Sequence, residues 1–479
     1  MSYLRTKDQV QQIKEYVNSQ FSSNIVPSIM DYIRIPNLSP MYDPEWNKNG
    51  LLMKAAEHIK AWVIAQELKG ASVQIIQDEG KPPLLFIEVN PTDNSGKSIL
   101  FYGHYDKQPH FSGWMEGTGP TTPVIIDGKL YGRGGSDDGY SVYAAVTSIK
   151  ACQKLGFPHP RCIITIEGEE ESGSFHYMNY LERLKDKIQT PDYIFCLDSG
   201  CGTYDTMWLT TCLRGNIKAE ITVKVLNEGV HSGDASGVVP SGFRILRNLL
   251  DRLEDSKSGQ VHELFQTNIP AHRYSQACDV AKDLSKDIFL KFPYSNNTKS
   301  MSQDPLQAYL NKTWRPQLAV VGADGLPACQ TAGNVLLPET KIRISLRLPP
   351  NLDAVQAGKN LKELIESNPP YDATVTCDIL SSANGWDAKE TPEHLTNSFN
   401  QSSLNYFNNE SRFLAEGGSI PLMNKLQDKF PNINFIVTGV LGPHSNAHGP
   451  NEMLHLQFTE NLICCMSQIV ADTSAYHSQ

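Results

Sequence analysis

A chain of 479 residues is longer than one ordinary hydrophobic core serves, so two domains are expected. A formal net charge of −10, unexceptional apolar content and the lack of a long basic run argue against nucleic-acid or anionic-membrane partners. No apolar run is long enough to span a bilayer, residues 1–24 carry no secretory-type apolar stretch, and the ten cysteines show no paired Cys-x-x-Cys spacing, so a reduced, cytoplasmic protein is expected.

Residues 6–30 read as helical, ending before Ile35-Pro36. Residues 51–68 form an amphipathic helix with Leu52, Ala55, Ala56, Ile59 and Val63 near one face. Short β-rich runs at 72–76, 84–89 and 98–102, each bounded by Gly, Pro, Asn or Asp, are predicted strands. The third runs into Gly103-His104-Tyr105-Asp106. The apolar strand Val124-Ile125-Ile126 precedes a glycine-rich turn that ends in Asp137-Asp138, and a helix follows over 141–155. Acids at that position also serve as ordinary helix caps. A strand at 162–167 leads into Gly168-Glu169-Glu170-Glu171-Ser172-Gly173, and one at 193–197 into Asp198-Ser199-Gly200. Strands alternating with helices predict an α/β domain with a largely parallel sheet, whose chemistry collects beyond the carboxyl ends of its strands.

The pattern changes after Arg214-Gly215. A strand at 219–225, a helix at 241–253, strands at 318–321 and 341–348, a helix at 352–367 and a strand at 372–379 give the order β-α-β-β-α-β, a ferredoxin-like unit. Most of 256–305 is a polar insertion with no clear fold. The expected organisation is a catalytic α/β domain over 1–212 and 386–479, interrupted by an inserted α+β domain over 213–385. The second catalytic stretch would supply the turn Glu416-Gly417-Gly418-Ser419-Ile420-Pro421, a strand at 434–438, His448 and a helix from about 453.

Zinc takes histidine nitrogen and carboxylate oxygen, and its catalytic sites leave a position open for water. His104, Asp137, Glu171, Asp198 and His448 make up the ligand set of a two-metal site, with Asp137 as the shared carboxylate. Asp106, two residues beyond His104 on an extended segment, projects to the same side and would fix the imidazole. An acidic triplet such as 169–171 otherwise reads as a solvated helix start. Here it follows a buried-type strand, and adjacent glutamates divide two tasks, Glu170 as general base and Glu171 as ligand. A lone His448 would read as a loop histidine; all of these groups at strand ends argue against coincidence.

With these motifs the chain resembles the dinuclear-zinc metallopeptidase family that includes aminoacylase, carboxypeptidase G, succinyl-diaminopimelate desuccinylase and the carnosinases. The resemblance lies in Gly103–Asp106, Gly132-Arg133-Gly134 through Asp138, Glu167 through Gly173, Gly417-Gly418-Ser419, and Ala447-His448 with Asn451-Glu452. Tyr102 through Pro109 and Cys212-Leu213-Arg214-Gly215 resemble the dipeptidase branch. The resemblance implies a zinc-peptidase-like sheet flanked by helices with a ferredoxin-like lid and dimerisation domain. It implies two divalent metal ions, zinc first and manganese or cobalt as alternatives. His104 and Asp198 would hold one, Glu171 and His448 the other, with Asp137 between them through a cis peptide to Asp138.

The resemblance also implies that Glu170 shuttles a proton and that Asp106 orients His104. His231, otherwise a surface-loop residue, would stabilise an oxyanion across a homodimer. Arg347, otherwise on a strand's solvent face, would bind a substrate carboxylate. Ser419 and Gly418 would line the pocket, with Asn334 beside the oxyanion. Gly139-Tyr140 stands where family members often carry Lys-Gly, which implies altered local packing. The expected activity is hydrolysis of an amide bond next to a free carboxylate, in a small peptide or an N-acyl amino acid. A dipeptidase comes first and a deacylase or carboxypeptidase second; a non-catalytic binding module would not require the intact ligand set.

Overall fold

The computed structural model describes residues 5–475. The chain divides into two compact units. The first holds the described residues up to Thr210, Ala388–Leu414 and the described residues from Leu426; the second holds Thr211–Asp387 and Ala415–Lys425. The Glu416–Pro421 turn, expected with the returning catalytic stretch, therefore clusters with the second unit.

The first unit is built on a six-stranded sheet in the order Ala71–Ile76, Leu84–Val89, Arg161–Glu167, Ser98–His104, Tyr193–Cys196, Asn434–Val437. The last four run parallel and the first two form an antiparallel edge. Ser98–His104 is buried along its whole length, which is why it reads as an unbroken apolar run with no alternation. Arg161–Glu167 and Tyr193–Cys196 flank it on opposite sides, so their carboxyl ends and its own converge on one crevice. Helix Tyr140–Leu155 is buried through most of its length and packs against the last helix, Leu456–Ala475.

The helix expected over 6–30 opens with a capping box, in which Thr6 Oγ1 accepts from Gln9 N and Gln9 Oε1 from Thr6 N. It runs in three parts, Lys7–Gln20, a wider π-helical turn Phe21–Ile25, and Val26–Ile33. Pro27 has no N–H for a regular helical bond, which accounts for the widened turn before it. The buried Lys107 closes its far end, with Nζ donating to the carbonyls of Tyr32 at 2.9 Å, Ile33 at 3.3 Å and Ile35 at 2.7 Å. The helix expected from 453 begins later. Met453–His455 is a strand paired with Lys129–Tyr131, and the helix starts at Leu456.

The second unit carries a four-stranded antiparallel sheet in the order Gln317–Asp324, Glu339–Leu348, Gly215–Lys224, Thr374–Ala383. With helices Gly242–Leu253 and Ala354–Glu366 this is the ferredoxin-like order read from the sequence. Ile217, Ala219, Ile221 and Val223 alternate inward and pack with Ile245, Leu249 and Leu361 in one core. On the other face Glu220 pairs across the strands with Arg343 at 2.5 Å and Lys341 at 3.4 Å. The 256–305 insertion is not structureless. It forms helix Ala271–Leu284 and the short Asp287–Leu290, and Pro305–Thr313 follows. Its apolar face rests on small residues, Ala277, Val280 and Ala281, beside a buried Arg273 whose Nε donates to Asp387 at 2.9 Å. That face is too weak to show as a hydrophobic period. Among the described residues no helix is long and apolar enough to cross a membrane, and none of the ten cysteines is paired.

Candidate metal centre

His104 ends the central strand, and its ring is fully buried. Its Nδ1 faces Asp106, 3.2 Å from the backbone carbonyl and 3.4 Å from Oδ1. This leaves Nε2 pointing the other way, 3.3 Å from Asp137 Oδ1 and 3.7 Å from Asp198 Oδ2. Asp198 follows the neighbouring strand Tyr193–Cys196. The other oxygen of Asp137, Oδ2, lies 3.0 Å from His448 Nε2, which is itself 3.4 Å from Glu171 Oε2. Two groups of ligand atoms result, His104-Asp137-Asp198 and Asp137-Glu171-His448, with Asp137 in both. The Asp137–Asp138 peptide is cis.

The donor set suits cations. Burial holds the Glu171 and Glu170 carboxyls well above the usual carboxylate range, and the neighbouring charges of Asp137 and Asp198 respectively push the same way. Burial also opposes charge on His104, yet Asp106, Asp137 and Asp198 outweigh it and hold that imidazole up. Burial raises Asp137 too, and the two histidines overcome it and bring it down. So many acids facing one another in a buried crevice need positive charge to ionise together. Among the described residues the buried Glu171 Oε1 has no hydrogen-bond partner, as an oxygen directed at a cation would be.

The turn that presents Asp137 depends on Gly134. Its φ of 85° is left-handed, and a Cβ there would run into the Lys107 side chain. Gly103 likewise leaves room for Asp138, whose Oδ2 accepts the His104 backbone N–H at 3.1 Å. Tyr140 buries its ring, and its hydroxyl donates to the Leu197 carbonyl beside Asp198.

Two features were not evident from the sequence. Asp106 does more than face His104, because its Oδ1 and Oδ2 accept the backbone N–H groups of Glu170 at 3.1 Å and Glu171 at 3.0 Å. Gln108 Nε2 donates to Glu171 Oε2 at 2.6 Å. Gln108 lies in the Tyr102–Pro109 stretch, but past the strand no periodicity shows where its side chain turns.

The remaining predicted residues belong to the second unit. His231 pairs in register with Val335, and its Nδ1 accepts from Gly233 N at 3.1 Å. The Asn334 carbonyl accepts from Ser232 N at 2.9 Å. Arg347 is half-buried, and its Nη1 donates to Ser419 Oγ at 3.0 Å; the Ser419 hydroxyl donates to the Arg214 carbonyl. The Gly418 carbonyl accepts from Arg214 N at 3.0 Å.

A site of this composition at the carboxyl ends of a parallel sheet defines a metallohydrolase class. The model of Peptidase family M20/M25/M40 matches residues 100–472, and the chain belongs to that family. It is a hydrolytic metalloenzyme. The Cysteinylglycine-S-conjugate dipeptidase of Corynebacterium striatum is 25% identical over 382 residues, 76% of this chain and 79% of that one. The Beta-Ala-His dipeptidase of Homo sapiens is 27% identical over 398 residues, 79% and 76% of the two chains. Among solved structures, the dipeptidase Dug1p from Saccharomyces cerevisiae superimposes with a TM-score of 0.75 at 20% identity, covering 100% of both chains. Human carnosine dipeptidase 1 gives 0.73 at 19% identity, covering 98% of this chain and 99% of that one.

Proposed function

We propose that this chain is a dipeptidase-type metallopeptidase that hydrolyses the peptide bond of a small peptide next to its free carboxylate. The observation that carries the reading is Asp137, which turns one oxygen toward His104 and the other toward His448. His104 and Asp198 would hold one divalent cation and Glu171 and His448 a second, with Asp137 available to both. Zinc fits the mixed nitrogen and oxygen donors best, with manganese or cobalt as alternatives. When bound, the two cations polarise the scissile carbonyl and acidify the attacking water.

The chain's own groups do the rest. Glu170 is adjacent to Glu171 but in neither ligand group, which suits a residue that takes the proton of the attacking water on its carboxylate. It then delivers that proton to the leaving amine nitrogen. Asp106 holds the Nδ1 side of His104, so that Nε2 stays turned toward Asp137 and Asp198, where it would be free to hold a cation. To the second unit we assign substrate recognition: Arg347 with Ser419 for the carboxylate, His231 and Asn334 for the oxyanion, and Gly418 as an open lining position. A deacylase acting on N-acyl amino acids is not favoured, because the relatives reported above are dipeptidases.

The reading includes a homodimer. It is supported by the exposed edge strand Gln317–Asp324, which presents Val320 and Val321 to solvent. Light scattering on the purified chain checks it, and a monomer at working concentration would remove it.

The activity is tested by metal content per chain together with hydrolysis of a dipeptide and N-acyl-amino-acid panel before and after chelation. About two ions per chain and chelator-sensitive dipeptide cleavage are expected. Cleavage of acyl amino acids alone would shift the substrate class, and no bound metal after reconstitution would end the reading.

A further inference from the structure

The loop that carries His448 does little to hold that residue. The ring is 56% exposed, and its Nε2 faces Asp137 and Glu171. The loop's backbone is also costly. His444, Asn446, His448 and Asn451 all have φ between 50° and 63°, a left-handed region that non-glycine residues adopt at an energetic cost. Such a loop keeps its shape only if something outside it fixes it.

The fixing element is a buried ion pair that neither ligand group contains. Glu452 is fully buried and Arg133 is 1% exposed; Arg133 Nη1 donates to Glu452 Oε2 at 2.7 Å. The second arm of the guanidinium, Nη2, donates to the Gly449 carbonyl at 2.7 Å, one residue from His448. The Glu452 carboxylate meanwhile gathers the turn that presents Asp137. It accepts from Gly134 N at 3.0 Å, Ser136 N at 3.1 Å, Ser136 Oγ at 2.9 Å and Asp137 N at 3.2 Å. A pair buried this completely is poor value as a source of stability alone. One side chain of it grips the backbone of Asp137, and the other grips the backbone beside His448.

We infer that Arg133 and Glu452 are positioning residues that set the separation of Asp137 from His448, and so tune the affinity of the cation position formed by Asp137, Glu171 and His448. His104 ends one strand and Asp198 lies two residues past the end of another, so neither is carried by the two loops that this pair grips. Asp137 serves both positions and His448 only one, so losing the Arg133 grip beside His448 should weaken one position selectively. This rests on the two-ion reading above.

The test is competition of zinc-loaded protein with a chromophoric zinc chelator, read as two dissociation steps, on wild type, Arg133→Lys and Glu452→Gln. Arg133→Lys keeps a cation beside Glu452 but loses the fork that also reaches Gly449. Glu452→Gln keeps an acceptor for the turn but removes the charge. Arg133→Lys is expected to weaken one step by about 10–100-fold and leave the other within about threefold, as for other residues that orient metal ligands, and Glu452→Gln, which also loosens the turn of the shared Asp137, to weaken the two steps unequally. Thermal unfolding of the metal-free proteins is measured alongside. Parallel weakening of both steps with a large fall in melting temperature would make the pair a general structural element and overturn the inference, as would two unchanged steps. If Glu452→Gln does not fold, Arg133→Lys decides alone. Fewer than two ions on the wild type would fail the two-ion reading, an outcome distinct from failure of this one.

Discussion

Asp106 accepts the backbone N–H of Glu171 at 3.0 Å through Oδ2, while its Oδ1 lies 3.4 Å from the Nδ1 of His104. One carboxylate thus ties the end of the central strand to the turn after its neighbour. Asp106→Asn presents an amide N–H₂ to at least one of these donors. Each bond lost to a buried partner costs about 1–3 kcal/mol. We expect kcat/KM to fall by about 10–100-fold with metal affinity reduced as well. Steady-state kinetics and a chelator competition check it; unchanged values for both would reduce Asp106 to a local turn residue.

Glu170→Gln should separate chemistry from assembly. It preserves size and removes the proton acceptor, so turnover should drop by about 100–10,000-fold while metal content stays at the wild-type value. Turnover near that of the wild type would move the general-base role to another group.

Gln108 is expected to matter for metal without touching it in either ligand group. Its amide directs Glu171 Oε2, so Gln108→Ala should weaken one cation by about 10–100-fold. Metal analysis after dialysis against a weak chelator provides the check. Retention equal to the wild type would show that Glu171 is positioned by its backbone alone.

Metal removal should cost stability as well as activity. The acids gathered around Asp137 lose their compensating charge, and any ion that binds only the folded state adds about 2.7 kcal/mol at a hundredfold excess over its Kd. Melting temperature should therefore rise with zinc concentration and fall on chelation. A melting temperature independent of zinc would place the ions outside the folding equilibrium.

A pH effect is expected far from the metal centre. Burial raises the Asp472 carboxyl to about 6, against the opposing pull of Arg5 and a hydrogen bond from Ser398 at 2.7 Å. The folded state then binds the proton more tightly than the unfolded one. Stability from this group is present below the ordinary value of 3.8 and is lost as pH rises to about 6. The shift corresponds to about 3 kcal/mol at most. Asp472→Asn removes the titration, so its stability relative to wild type should improve between these pH values in denaturant unfolding. A constant difference across that range would contradict the raised carboxyl.

The sequence by itself determined the parts that depend on near neighbours along the chain. Period-two alternation at Ala219, Ile221 and Val223 marked the core face of the second unit's sheet, because strand side chains alternate faces whatever they pack against. The unbroken apolar run of the central strand marked a strand covered on both faces and put His104 at its end. Weak periods hid the helix Ala271–Leu284, and the strand Met453–His455 was missed because its partner, Lys129–Tyr131, lies hundreds of residues away. Only the tertiary structure decided which groups meet. It brought His448 to within 3.0 Å of Asp137 and set Gln108 on Glu171. It also closed the Arg133–Glu452 pair over both loops. Side-chain direction beyond a strand end follows from loop backbone angles and from packing between segments distant in the chain, and no local pattern in the sequence records either.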